Sequence, residues 1–262
     1  MVEHQLAAMA GLWWTAALAV VIREFTERSL SGYPLATCLD GSPAVYYHRR
    51  GDPKRVFVFF EGGGFCGSLA DCQARSWTHY GSSARDADKM PAALDRPYLQ
   101  HVGNPLLASF THVYVRYCDG GYYSGERAAP VAYNGSILHF HGRWITEAVI
   151  ADLELSALGA GSDIIFGGCS AGGIRVLAHL DALRGLVSPA TGARVVGFAD
   201  SGFYLDLPVF TPLKRFVVSD SGQNATRFLS RACLDAHATE PERCLVAQVR
   251  LWEPNPSADA SN

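Results

Sequence analysis

Five stretches of the chain are short, apolar and bounded by turn residues. They are Ala44–His48, Arg55–Phe60, His112–Tyr117, Asp163–Cys169 and Arg194–Ala199, with the turn Gly51-Asp52-Pro53 separating the first two. Apolar runs of this length without polar alternation read as strands, and Arg55–Phe60 as one covered on both faces. Between them the pattern changes to a helical period. Ile145, Val149 and Leu153 recur four apart within Arg143–Leu158, and Ile174–Leu180 follows the fourth strand as another helix. Strands alternating with helices predict an α/β fold, a mostly parallel sheet with flanking helices. Residues 67–110 hold turn residues and short helical pieces without a sustained period. Gly-rich or acidic turns follow Phe60, Tyr117 and Cys169, at the strand ends where open α/β sheets bind ligands.

The turn after the fourth strand carries the sharpest chemical signal. Gly168-Cys169-Ser170-Ala171-Gly172 fits the G-x-S-x-G nucleophile elbow, with a strand before it and a helix after it as that motif requires. Such a turn exposes the Ser170 hydroxyl as a nucleophile, and the following N–H, that of Ala171, is placed to bind an oxyanion. The alternative is a Gly-rich turn closing a buried strand. Upstream, Glu61-Gly62-Gly63-Gly64 also follows a strand and suits a second oxyanion donor, because glycine lets backbone N–H groups approach a substrate closely. No Lys-Ser or Lys-Thr follows these glycines, which argues against a phosphate-binding loop. The two motifs together are far more specific than either alone.

Composition narrows the setting. The 262 residues fit one domain with a large core, and a net charge of −3 gives no nucleic-acid footprint. Leu6–Ile22 is an apolar run broken only by Thr15, which sets residues 1–30 apart as a secretory signal or membrane anchor, a buried N-terminal helix being the alternative. Residues 31–250 form the domain, and the polar, Pro-containing 251–262 reads as a disordered tail. Seven cysteines without a C-x-x-C pair argue against a zinc or thioredoxin-type site. Cys66 and Cys72, and Cys233 and Cys244, are spaced for local disulfides in an oxidising compartment, and the odd count leaves one thiol, for which Cys169 is the natural candidate. Sequons at Asn134 and Asn224 agree with secretion.

Four blocks carry a family resemblance: Glu61-Gly-Gly-Gly-Phe-Cys66, Arg116-Tyr-Cys-Asp-Gly120, Gly168-Cys-Ser-Ala-Gly-Gly173 and Ala199-Asp-Ser-Gly-Phe203. Thr37–Pro43, Asn104-Pro105 and His139–Gly142 support them in consistent order from about Leu35 to Ala247. The chain resembles the pectin acetylesterase family, which also holds the Notum carboxylesterases. The resemblance implies an α/β-hydrolase-like fold and hydrolysis of an acyl ester without a metal or other cofactor, by a monomer acting on a small acyl ester or an acetylated polysaccharide. It makes Ser170 the nucleophile and places Gly63, Gly64 and Ala171 at the oxyanion hole. It also implies disulfides Cys38–Cys118, Cys66–Cys72 and Cys233–Cys244, with Cys169 free. Phe65 stands where plant members usually carry tryptophan.

A nucleophilic serine needs a base, and the base an orienting carboxylate. The resemblance puts both beyond the segment matching Cys233–Cys244, so neither the triad Asp nor the triad His carries over to a residue here. The two histidines after Ser170 are poor substitutes. His179 is nine residues along the elbow helix, about 13 Å on, and His237 lies inside the Cys233–Cys244 loop. Asp200, in a family block at the end of the fifth strand, reads as structural or substrate-facing and not as the acid, and Asp206 and Asp220 have no better case; Asp119 and Glu126 are candidates to line the pocket, with turn and surface chemistry as the alternative. These readings imply a domain that lacks its C-terminal part and an exposed apolar edge beside the fifth strand. The competing function is a binding module that keeps the pocket without turnover.

Overall fold

The structure, a computed structural model, describes residues 25–85, 104–187 and 192–246. Its main sheet has six strands: β1 (Thr26–Ser29), β2 (Val45–Arg49), β3 (Asp52–Phe60), β4 (Phe110–Val115), β7 (Asp163–Cys169) and β8 (Arg194–Asp200). They lie in the order β1-β2-β4-β3-β7-β8. β4, β3, β7 and β8 run parallel, whereas β1 and β2 add on antiparallel at one side. The hairpin β5 (Arg127–Tyr133) and β6 (Ser136–Phe140) stands apart from that sheet. Five helices are present among the described residues: α1 (Leu69–Ser76), α2 (Gly142–Asp152), α3 (Ala171–Leu186), α4 (Thr211–Val218) and α5 (Arg231–Ala236).

The unbroken apolar run in β3 follows from its central position. Val56, Val58 and Phe60 enter the larger core, which includes Ile145 and Val149 of α2 and Ile174 and Val176 of α3. Phe57 and Phe59 point the other way, into a second cluster with Phe25, Tyr47, Phe110 and Tyr114. Each such fully buried side chain contributes about 1.5–3 kcal/mol. The second face is less well covered at β8. Val196 and Phe198 pair with Ile165 and Gly167 of β7 and remain 40% and 44% exposed.

Three differences from the sequence reading have local causes. β3 begins at Asp52, where a register irregularity before Val56 accommodates Pro53, which has no N–H for a ladder. The helix expected over 143–158 ends at Asp152, because Glu154 takes a left-handed conformation (φ 51°) and a 3₁₀ turn, Leu155–Ala157, follows. The strand expected over His112–Tyr117 ends at Val115, freeing Arg116 and Tyr117 for the loop. β1 and the hairpin were not anticipated. β1 falls inside residues 1–30, while the apolar run Leu6–Ile22 and the tail 251–262 lie outside the described residues. The hairpin turns through Asn134 and Gly135 at φ 43° and 76°, the left-handed pair that Asn-Gly favours. Among the described residues no helix is long and apolar enough to cross a membrane.

Candidate active site

β7 delivers the chain to Ser170, which takes φ 53° and ψ −116° before α3 starts at Ala171. A non-glycine residue rarely holds such a conformation, and strain of this kind clusters at active sites. Its surroundings over-determine it. The Ser170 N–H donates to the Asp200 carbonyl at the end of β8 (2.9 Å), and its own carbonyl accepts from Ile174 (2.9 Å). The flanking glycines are required by close approach. A Cβ on Gly168 would stand 2.2 Å from the Gly172 carbonyl oxygen, and one on Gly172 would stand 2.0 Å from that of Phe60. The Ala171 N–H opens α3, where first-turn N–H groups have no intrahelical acceptor.

The glycine loop after β3 lies directly against this elbow: a Cβ on Gly62 would meet the Cys169 carbonyl oxygen at 2.4 Å and Ser170 Cβ at 2.9 Å. Polar contacts hold the loop. Gly63 O accepts from Arg75 Nη1 (2.7 Å), Gly64 O accepts from the Tyr117 hydroxyl, and Gly64 is left-handed at φ 69°. Beneath it, buried Arg116 donates through Nη1 to Glu61 Oε2 and through Nη2 to His79 O (2.9 Å). The same Glu61 oxygen accepts the Tyr117 N–H (2.9 Å). One carboxylate thus ties the turn after β3 to the turn after β4.

The Ser170 hydroxyl is 3.1 Å from the Tyr204 hydroxyl on the segment after β8. Tyr204 belongs to the wall of an apolar cavity of about 250 Å³, together with Gly64, Phe65, Tyr122, Ile174 and Phe210. Phe65 forms an aromatic side of it, packed edge-on to Tyr122 with centroids 5.5 Å apart. The elbow, the glycine loop and the cavity therefore meet at one end of the parallel strands.

The pectinacetylesterase family profile (PAE) matches residues 29–253. The chain belongs to this family. It is 32% identical over 222 residues to pectin acetylesterase 5 of Arabidopsis thaliana, covering 81% of this chain and 50% of that one. It is 28% identical over 248 residues to the palmitoleoyl-protein carboxylesterase NOTUM of Schmidtea mediterranea, covering 88% of this chain and 42% of that protein. A solved structure, the Wnt deacylase Notum from Drosophila, superposes with a TM-score of 0.73 at 26% identity over 89% of this chain and 70% of its own. The chain thus spans about half the length of the curated relatives it matches, and its sheet is that of the α/β-hydrolase-like Notum structure.

Within this pectinacetylesterase-family domain the cysteines pair as the resemblance implied: Cys38–Cys118, Cys66–Cys72 and Cys233–Cys244, with Cys169 unpaired by any disulfide. Cys66–Cys72 sits at the end of the glycine loop, and Cys38–Cys118 anchors the turn after β4. Asn134 is exposed at the hairpin tip, whereas Asn224 is half-buried. No described histidine hydrogen-bonds Ser170. His179 is buried in α3, which departs from helical geometry there (φ −134°). It contacts Ser124 Oγ through Nε2 and Phe228 O through Nδ1, both at 3.1 Å. His237 caps α5 and lies 3.4 Å from Arg243 Nη1.

Two expectations about the pocket are corrected. Asp119 does not line it: the side chain is buried, and its Oδ2 accepts the N–H groups of Gly121 (3.1 Å) and Tyr123 (2.9 Å), shaping the loop after β4. Burial pushes its carboxyl up to about 6, against the pull of those N–H groups and of Arg175. Arg175, equally buried on α3, is pulled down to about 9 by desolvation. Glu126 is taken up by Arg143 (3.1 Å). Sequence reasoning missed Tyr204, Arg75 and the Glu61–Arg116 pair. Glu61 and Arg116 flanked apolar strands as charges with no surface role, a signal that could have marked them as partners.

Proposed function

We propose that this chain is the nucleophile-bearing part of a carboxylic ester hydrolase, cleaving its substrate through an acyl-enzyme on Ser170. The observation that carries this is the φ of 53° at Ser170, with its hydroxyl 3.1 Å from that of Tyr204 on the cavity wall and both flanking glycines pressed against neighbouring backbone. In this reading Oγ attacks the ester carbonyl, the alcohol leaves, and water releases the acid. The N–H groups of Gly63, Gly64 and Ala171 stabilise the oxyanion at the tetrahedral stages. Three disulfides support work in an oxidising, secretory setting.

Its relatives' names point to two acyl classes, acetyl on pectin and palmitoleoyl on protein. The apolar cavity supports chains longer than acetyl, since a volume of about 250 Å³ is many times the roughly 30 Å³ share of one water. An acetylated polysaccharide remains the substrate that the resemblance to the plant members supports. The test is hydrolysis of p-nitrophenyl acetate, butyrate and octanoate and of acetylated pectin by the chain and by Ser170→Ala. Turnover lost in Ser170→Ala supports the esterase. A folded chain that binds octanoate esters without hydrolysing any of them favours the binding-module reading instead.

A further inference from the structure

In the loop beside Ser170, the half-buried N–H groups of Gly63 and Gly64 donate to no acceptor among the described residues, whereas both carbonyls are taken. Gly63 O accepts from Arg75 Nη1 (2.7 Å) and Gly64 O from the Tyr117 hydroxyl. We propose that Arg75 is a positioning residue of the oxyanion hole: by holding the Gly63 carbonyl, it sets the rotation of the Gly63–Gly64 peptide and keeps the Gly64 N–H available to the developing oxyanion. The proposal rests on the esterase reading of Ser170.

A trans peptide is planar, so its C=O and N–H point in opposite directions. Fixing Gly63 O on Arg75 therefore fixes the Gly64 N–H on the other side of the same plane. The backbone by itself does not make this choice. With glycine on both sides of the bond, no Cβ disfavours the flipped peptide. Once flipped, the bond would present a carbonyl oxygen in place of the donor, and two partial negative charges would meet at the transition state. Gly64 also lines the cavity shared with Tyr204, whose hydroxyl is 3.1 Å from that of Ser170. Backbone donors left unpaired in a half-buried loop are ready for an acceptor that arrives with the substrate.

Arg75 is itself held where it can do this. It follows Cys72 by three residues on α1, so the two share a face of that helix. The Cys66–Cys72 disulfide ties this face to the chain two residues past Gly64. Ser68 Oγ caps α1 by accepting from the Asp71 N–H (3.2 Å), and Asp71 Oδ2 accepts the Gly67 N–H (3.0 Å), which closes the link from loop to helix. The guanidinium lies over the Tyr80 ring, 5.7 Å from its centroid. Tyr80 bounds Gly63 as well, where a Cβ would come within 2.7 Å of the ring. The other terminal nitrogen, Nη2, is the nearest atom to a Cβ built on Gly64, at 3.5 Å. A rigid planar fork stacked in this way donates in one direction, which a freely rotating donor does not.

The experiment measures how fast a fluorophosphonate labels Ser170, by mass spectrometry over a range of probe concentrations, in the unmodified chain, in Arg75→Met and in Arg75→Lys. The probe's phosphoryl oxygen gains negative charge as Ser170 attacks, so the maximal rate reports the oxyanion donors, and the half-saturating concentration reports binding. Arg75→Met keeps an apolar stem without a donor. Its maximal rate should fall about 10²-fold, with half-saturation within about twofold of the unmodified chain. Arg75→Lys returns a donor and should recover about tenfold of that loss. Circular dichroism checks folding, and Arg75→Gln, whose amide nitrogen falls short of the Nη1 position, replaces Arg75→Met if that variant is unfolded, with the same loss expected. A maximal rate unchanged from the unmodified chain, a loss carried by half-saturation instead, or a lysine variant as slow as the methionine one overturns the role of Arg75 and leaves the esterase reading standing. No labelling of Ser170 in the unmodified chain overturns both.

Discussion

Replacing Arg116 with methionine tests whether the Glu61–Arg116 pair builds the candidate active site. Its side chain is 1% exposed and that of Glu61 is 11% exposed. Removing the guanidinium leaves a buried carboxylate without its cation, and the His79 carbonyl without its donor. Breaking a buried pair on one side costs about 3–5 kcal/mol, so the urea midpoint of Arg116→Met should fall by roughly 1–2 M for an m-value of about 2–3 kcal/mol/M. The double variant Glu61→Met, Arg116→Met removes both charges and should recover part of that loss. It still leaves the Tyr117 N–H without the acceptor it had at 2.9 Å, a residual penalty of about 1–3 kcal/mol. Site chemistry should fall in both. Without Glu61 and Arg116 the turns after β3 and β4 are no longer clamped, and a displacement of 1 Å in a catalytic group costs about 10²-fold. Paired urea titrations and fluorophosphonate labelling read the two effects. A loss below 1 kcal/mol in Arg116→Met, with labelling unchanged, would refute the claim that this pair holds the glycine loop.

Three further outcomes follow from the same contacts. Removing Cys38–Cys118 by paired serine substitution releases an 80-residue loop constraint and should cost about 4.5 kcal/mol, against about 2 kcal/mol for the 6-residue Cys66–Cys72 link; thermal or urea unfolding that ranks them the other way contradicts the loop-entropy account. Asp119 has a folded pKa near 6, above the unfolded 3.9, so its stabilising contribution is full below about pH 4 and is lost as the pH rises through 6. Relative to Asp119→Asn, the chain should therefore gain about 1.4 kcal/mol between pH 8 and pH 5, and a pH-independent difference between the two would show that the carboxyl is not perturbed. Expressed through a secretory pathway, Asn134→Gln should lose a glycosidase-sensitive mass step that Asn224→Gln keeps, because Asn134 is exposed at a hairpin tip and Asn224 is not.

Much of the fold was legible because its strands carry their environment in their composition. β3 and β7 are apolar on both faces, as only central strands are, and both were placed within a few residues. The elbow was legible because its geometry forces glycine at 168 and 172. What escaped had no periodic signature. β1 reads Thr-Glu-Arg-Ser and is exposed, joining the sheet through backbone pairing with β2. The hairpin announced itself only in the Asn-Gly pair. The ends of β4 and α2 were misplaced because Arg116 and Tyr117 are buried, and Leu153 half-buried, outside regular elements, where hydrophobic pattern and secondary structure part company.

The sequence by itself determined the chain's class and marked Ser170 as its candidate nucleophile. Strand and helix periods, two glycine-bearing turns and their spacing are local properties, written in consecutive residues and readable there. Tertiary structure alone decided what those turns face. Glu61 meets Arg116 across 55 residues, Cys38 meets Cys118 across 80, and Ser170 meets Tyr204 across 34, on the far side of another strand. These partners are selected by the parallel crossover that brings strand ends to one edge, and by burial, which obliges each polar group to find a partner wherever the fold places one.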